Sequence, residues 1–260
     1  MNILQEIAER TKERLRERRK VLPLQELMEM SRSSDTDDGF PFEKALRSED
    51  ISFICEIKRA SPSKGVIAEY FPYLEIAKEY EAAGAAAVSV LTEPYYFNGD
   101  NRHLLEIADT VSIPLLRKDF IVDRYMIFEA KVLWANAVLL ICAILERESL
   151  AEYIGIAHSL GLSALVETHS ENEVRMALDV GARIVGVNNR NLKTFEVDTN
   201  ISMRLRKMIP DNIIFVSESG IRTAEDVEKL RRIGVDALLV GETLMRSSDK
   251  KAALAKLRGN

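Results

Sequence analysis

One kind of junction recurs along the chain, and it restricts the fold more than any single motif does. Ala83-Gly84-Ala85, Leu160-Gly161-Leu162, Val180-Gly181-Ala182 and Ile233-Gly234-Val235 each follow a helix-like stretch and precede an apolar run. Glycine there suits the left-handed residue that ends a helix. Val132-Leu133-Trp134-Ala135-Asn136-Ala137 fits the same frame with Trp134 in the glycine position. The junctions are spaced by one or two units of about 20 to 27 residues, as a βα repeat requires. This register predicts eight strands, at 52–59, 86–92, 114–120, 137–145, 163–168, 183–189, 213–219 and 237–241. Most are near-continuous Val, Ile, Leu and Ala, the mark of strands buried on both faces.

Eight βα units in 260 residues favour an α/β fold closed into a (β/α)8 TIM barrel, one domain spanning 1–260. The alternative is an open α/β sheet, which the lack of G-x-G-x-x-G after an early strand disfavours. Residues 1–47 read as an N-terminal helical extension: a helix from Ile3 to about Met30 interrupted at Pro23, a polar linker over 31–41, and a short helix over 42–47. The basic run Lys12 to Lys20 is interleaved with Glu9, Glu13 and Glu17, so a solvated helix face with i,i+4 pairs is expected. The acidic stretch 35–39 lacks a calcium loop's closing glutamate, Leu46 standing in its place.

A net charge of −5 argues against a nucleic-acid partner. No apolar run is long enough for a membrane span, and residues 1–10 lack the apolar segment of a signal peptide. Cys55 and Cys142 sit in apolar strand-like runs, which points to buried thiols in a reducing cytoplasm. No Cys/His cluster has ligand spacing, so no metal is expected.

The chemistry gathers where the strands end. Strand one ends in Glu56 and Lys58, strand three in Lys118, Asp119 and Phe120, and strand five in Glu167 and His169. Strand six ends in Asn188 and Arg190, and strand seven in Glu218 and Ser219. In a barrel these ends form one rim, the face where active sites lie. Glu56/Lys58, Lys118/Phe120 and Asn188/Arg190 are i,i+2 pairs, so each pair faces one way. Taken singly, Lys118 or Glu167 could be a rim salt bridge; His169 reads as a solvated or capping residue, and His103 and His158 as exposed helical ones. Five charged strand ends on one rim favour function. Glycine just after strands seven and eight, at Gly220 and Gly241, adds a phosphate signature, with Glu242 contributing only its backbone amide.

These motifs also carry a family resemblance. Glu56-Ile57-Lys58-Arg59-Ala60-Ser61-Pro62-Ser63, Arg117-Lys118-Asp119-Phe120, Val166-Glu167-Thr168-His169, Gly186-Val187-Asn188-Asn189-Arg190 and Ser217-Glu218-Ser219-Gly220 appear in this order. The chain resembles the indole-3-glycerol-phosphate synthases of tryptophan biosynthesis over nearly its whole length. The resemblance implies a phosphorylated small-molecule substrate, 1-(2-carboxyphenylamino)-1-deoxyribulose 5-phosphate, closed to an indole with loss of carbon dioxide and water and without a cofactor. It implies Lys118 as general acid, Glu167 as the group that stabilises the developing cation and moves protons, and Lys58 with Glu56 as the polar pair beside them. Ser61, Asn188 and Arg190 would hold carboxylate and hydroxyl groups, with Glu218 also holding substrate and Phe120 packing on its ring. Ser219, Gly220, Gly241 and Glu242 would bind phosphate. A lysine among other cations would have its pKa lowered toward usefulness. Glu242 stands where many relatives carry serine, which leaves its backbone as the expected contact. A monomer is expected, open to association with other tryptophan-pathway enzymes. Two other readings stay open: a sister phosphate-binding barrel such as phosphoribosylanthranilate isomerase, and a ligand-binding barrel without catalysis.

Overall fold

The computed structural model describes residues 3–33, 39–191 and 194–259, so most of the acidic stretch 35–39 lies outside it. The eight apolar runs form strands β1 Ser52–Ile57, β2 Ala87–Leu91, β3 Leu115–Lys118, β4 Ala137–Ile141, β5 Ser163–Thr168, β6 Ile184–Asn188, β7 Ile214–Glu218 and β8 Ala237–Val240. They pair in parallel and in chain order, and β8 closes on β1 from Ser52↔Ala237 to Cys55↔Val240. Several end earlier than their apolar runs do. After Ile141 the chain tightens into a 3-10 turn, Cys142–Ile144, so Cys142 lies in a turn and not in a strand.

The helices are α1 Ile3–Val21, α2 Leu24–Ser33, α3 Pro41–Leu46, α4 Tyr73–Ala82, α5 Asn101–Ala108, α6 Tyr125–Val132, α7 Arg147–Ser159, α8 Glu171–Asp179, α9 Asn200–Leu205, α10 Ala224–Arg232, α11 Glu242–Met245 and α12 Lys250–Arg258. Strand alternation divides the core in two. Ile54, Leu116, Leu165 and Ile214 fill the barrel, while Phe53, Cys55, Val88 and Val138 pack outward against the helices. The inner cluster is closed by the extension itself: Leu4 and Ile7 of α1 and Phe42 and Leu46 of α3 belong to it. The α3 end lies by the strand starts, where Ser52 Oγ donates to the Ala45 carbonyl and Arg183 pairs with Glu43 at 2.7 Å.

The repeated junctions take the left-handed conformation their glycines suggest, with φ of 80° at Gly84, 71° at Gly161, 82° at Gly181 and 75° at Gly234. Trp134 adopts φ 61° at its own junction without glycine's freedom, at a cost of roughly 1–2 kcal/mol. It stands just before β4, at the base of the barrel, so stability bears that cost and the rim does not.

The basic run of α1 departs from expectation. Lys12 and Lys20 do pair locally with Glu9 and Glu17. Arg14, however, reaches both carboxylate oxygens of Asp119 at 3.1 Å, Arg18 binds Glu129, and Arg19 meets Asp123 at 2.5 Å. These arginines anchor the extension to β3 and α6. At the centre sits Arg117, fully buried, 2.6 Å from Glu129 and 3.3 Å from Asp119. Burial pushes both carboxyls up, but the arginines outweigh it and hold them below the usual range. Removing one member of such a buried set strands the others, at about 3–5 kcal/mol. Arg117→Met is therefore expected to lower the urea midpoint strongly with little change in slope. A shift no larger than that of a surface arginine variant would show that the network contributes little.

Candidate active site

Alternation along β3 sends Arg117 and Asp119 outward and Lys118 and Phe120 inward, and the other strands sort their ends the same way. The inward groups surround a cavity of about 420 Å³ at the C-terminal ends of the strands. Glu56, Lys58, Ser61, Lys118, Phe120, Glu167, Asn188, Arg190, Glu218, Ser219, Gly220, Gly241 and Glu242 all line it. The residues singled out from five separate motifs thus meet in one place.

Two lysine amino groups and three glutamate carboxyls form its floor. Lys58 Nζ donates to Glu56 Oε1 at 2.5 Å. Lys118 Nζ donates to Glu167 Oε2 at 3.3 Å and lies 3.5 Å from Glu218 Oε2. The expectation of a lysine among cations is therefore wrong. Burial does pull the Lys118 pKa down, but Glu167, Glu218 and Glu56 together hold it above the ordinary lysine value. Glu56 and Glu167 are likewise buried, which raises them, and the neighbouring cations bring both below the usual carboxylate range. Glu218 goes the other way. Burial and the charges of Glu167 and Glu56 overcome the pull of Lys118 and push its carboxyl up to about 8. Its Oε1 is buried and has no hydrogen-bond partner among the described residues. Glu218 is thus the one of the three carboxyls that holds its proton most readily, with an oxygen turned to the barrel interior.

Two glycines make this floor possible. A Cβ at Gly186 on β6 would run into Glu218 Oε1, and one at Gly241 would run into Glu56 Oε1. Their missing side chains leave room for carboxylates between strands. This duty at Gly241 is additional to the backbone approach its motif suggests.

Above the floor, the small loop after β1 is more ordered than a bare turn: Ala60–Ser61 pairs antiparallel with Gly65–Val66. Phe120 stacks loosely on Phe97, with centroids 5.8 Å apart. After β7 the chain turns through two left-handed residues, Ser219 and Gly220. The Glu242 carboxylate lies 3.2 Å from Arg246 and 3.9 Å from both Arg190 and Lys64.

Other lining residues had no motif to mark them. Ile3, Leu4 and Ile7 of α1 line the cavity, as do Phe97, Arg222 and Arg246. The sparse apolar stripe at the start of an otherwise charged helix was the available signal for the first three. The histidines need correction. His103 is buried, with Tyr73 at 4.3 Å and Phe71 at 5.5 Å from its ring, and His158 is half-buried against Phe40. His169 is neither solvated nor only a cap, since its ring stands between Glu167 and Glu173.

A closed (β/α)8 barrel that brings ammonium and carboxylate groups together over a cavity at its C-terminal rim has the layout of a barrel enzyme working by proton transfer. The chain belongs to the indole-3-glycerol phosphate synthase family, whose model matches residues 4–257. The indole-3-glycerol phosphate synthase of Ruminiclostridium cellulolyticum is 57% identical over 258 residues, covering 99% of both chains. That of Lacticaseibacillus paracasei is 49% identical over 98% of both. Among solved structures, 3-hexulose-6-phosphate synthase from Salmonella typhimurium superposes with a TM-score of 0.66 at 12% identity, over 80% of this chain and 97% of that one, a likeness of fold.

Proposed function

We propose that the chain is an indole-3-glycerol-phosphate synthase that converts 1-(2-carboxyphenylamino)-1-deoxyribulose 5-phosphate to indole-3-glycerol phosphate, releasing carbon dioxide and water. The observation that carries this reading is Lys118 held as an ammonium between Glu167 and Glu218 at the cavity floor.

Lys118 donates its proton to the ketone oxygen as the aromatic carbon attacks. Its raised pKa keeps Lys118 in the donor form until the ketone oxygen gains the basicity of an alkoxide and takes the proton. Glu167, kept ionised, stabilises the cationic, de-aromatised ring and, after carbon dioxide has left, takes the C–H proton whose loss together with hydroxide completes the indole. That cation is also the electron sink for decarboxylation, so the chain's own residues suffice for this step without a cofactor. Lys58, bonded to Glu56, is placed to serve the dehydration. Glu218, when protonated, both donates to and accepts from a substrate hydroxyl. Ser61, Asn188 and Arg190 hold the carboxylate and hydroxyls, and Phe120 with Phe97 packs on the ring. The turn at Ser219 and Gly220, with Gly241 and the Glu242 amide, takes the phosphate. The same reading has the enzyme act in the cytoplasm as a monomer.

Incubation with the carboxyphenylamino-deoxyribulose phosphate, followed by indole fluorescence, tests this. A rise in indole fluorescence with time is expected. No product at any substrate concentration would overturn the assignment.

A further inference from the structure

Glu167 is flanked on both of its oxygens. Oε2 accepts from Lys118 inside the cavity; Oε1 faces the His169 ring from behind, with Nε2 at 3.4 Å. The other ring nitrogen, Nδ1, lies 3.3 Å from Glu173 Oε2 on α8. The Glu173 carboxylate is fixed in turn by the helix start: it accepts the His169 backbone N–H at 2.6 Å, while Ser170 Oγ accepts the Glu173 N–H. Only 3% of the Glu167 side chain and 16% of the His169 side chain are exposed, so solvent screens this contact little. The imidazole is wedged between two carboxylates, hydrogen-bonded to Glu173 through Nδ1 and facing Glu167 with Nε2 at charge-pair distance but not aligned for a hydrogen bond, so both carboxylates favour its doubly protonated form.

We infer that His169, with Glu173 behind it, is a positioning residue that acts as an imidazolium to orient Glu167 and keep it ionised for proton transfer. This rests on the proposed role of Glu167. The groups facing His169 are Glu167 from β5, Glu173 from α8 and Glu218 from β7. The Cys142 thiol, beside Glu173 and Glu167 in the turn after β4, is pushed up to about 12 and stays neutral. Burial pulls the imidazole down, but the Glu173 bond and the surrounding carboxylate charge outweigh it, and the ring stays protonated above its ordinary range. The sign of the effect on activity follows: loss of the imidazolium removes a cation from Glu167, so its carboxyl protonates at higher pH.

The experiment compares pH profiles of kcat for the wild type, His169→Gln and Glu173→Gln. The inference expects the low-pH limb of His169→Gln to move up by roughly one pH unit or more. Glu173→Gln, whose amide preserves the helix cap, leaves the ring cationic at the pH where Glu167 titrates, so it should lower the His169 midpoint without moving this limb upward. KM should change little in both. A purely capping role would lower stability and leave the profile shapes superimposed, which would overturn the inference.

A second readout does not need turnover. The chain has only three histidines, so imidazole NMR can follow each titration, with His169→Gln identifying the signal. Linkage requires Glu167→Gln to lower the His169 midpoint; an unmoved midpoint refutes the coupling even if the enzyme is active. Coupling without synthase activity would instead retain the electrostatic pair and discard the catalytic reading.

Discussion

Lys118→Ala is expected to reduce turnover by about 10²–10⁴-fold while the chain still folds cooperatively. The rate loss follows from removing the proton donor at the point where the alkoxide forms. The survival of the fold follows from what its neighbours can do. Without the ammonium, Glu167, Glu218 and Glu56 would be three buried carboxylates close together, an arrangement too costly to keep charged. They would instead take up protons, so the variant should lose more stability on going to alkaline pH than the wild type does. Circular dichroism and urea denaturation would check the fold, and indole fluorescence the rate. Near-normal turnover would move the acid role elsewhere, first to Lys58, which lines the same cavity and bonds Glu56.

Glu218→Gln is expected to make the protein more stable and less active. The Glu218 carboxyl is pushed from an ordinary 4.5 up to about 8 in the folded chain. Between those values the native state holds a proton that the unfolded chain has released. Stability therefore falls as pH rises through this window, and the loss is complete above about 8. An amide of the same shape carries no such dependence. The stability gap in favour of Glu218→Gln should thus be small below pH 4.5 and grow to a few kcal/mol above pH 8. Urea midpoints at both ends of the window would measure it, and an equal gap at both would refute the raised carboxyl. Activity should fall by roughly 10-fold or more, as expected when a buried hydrogen bond to substrate is weakened. Such a trade of stability for function is common at sites built from strained charges.

Much of this site was legible before any coordinates. Strand parity alone required Glu56 with Lys58, and Lys118 with Phe120, to face together, because side chains alternate strictly along a strand. The repeated glycine junctions indicated which runs were strands and therefore which ends shared a rim. The environment of each charged group was a different matter. Lys118 appeared to have cations for company, and it has carboxylates, because its neighbours come from β5 and β7 at distances no local pattern encodes. His169 read as a solvated cap since its sequence neighbours, Ser170 and Glu171, mark a helix start; its contact with Glu167 depends on the i,i+2 alternation continuing past the end of β5. Arg14, Arg18 and Arg19 looked like a solvated face because interleaved glutamates offer local partners, yet their partners lie more than 100 residues away.

The sequence by itself determined the barrel, the rim, the family and the list of groups on the cavity floor. Periodicity and junction chemistry are local properties, and parity carries them to the strand ends. Only the tertiary structure decided the protonation of those groups. Charge state depends on burial and on neighbours from other strands, and closing the barrel sets both at once. The two glycines show the division clearly. Gly186 and Gly241 are visible as small residues in the chain, but that their missing side chains make room for Glu218 and Glu56 appears only when adjacent strands are side by side.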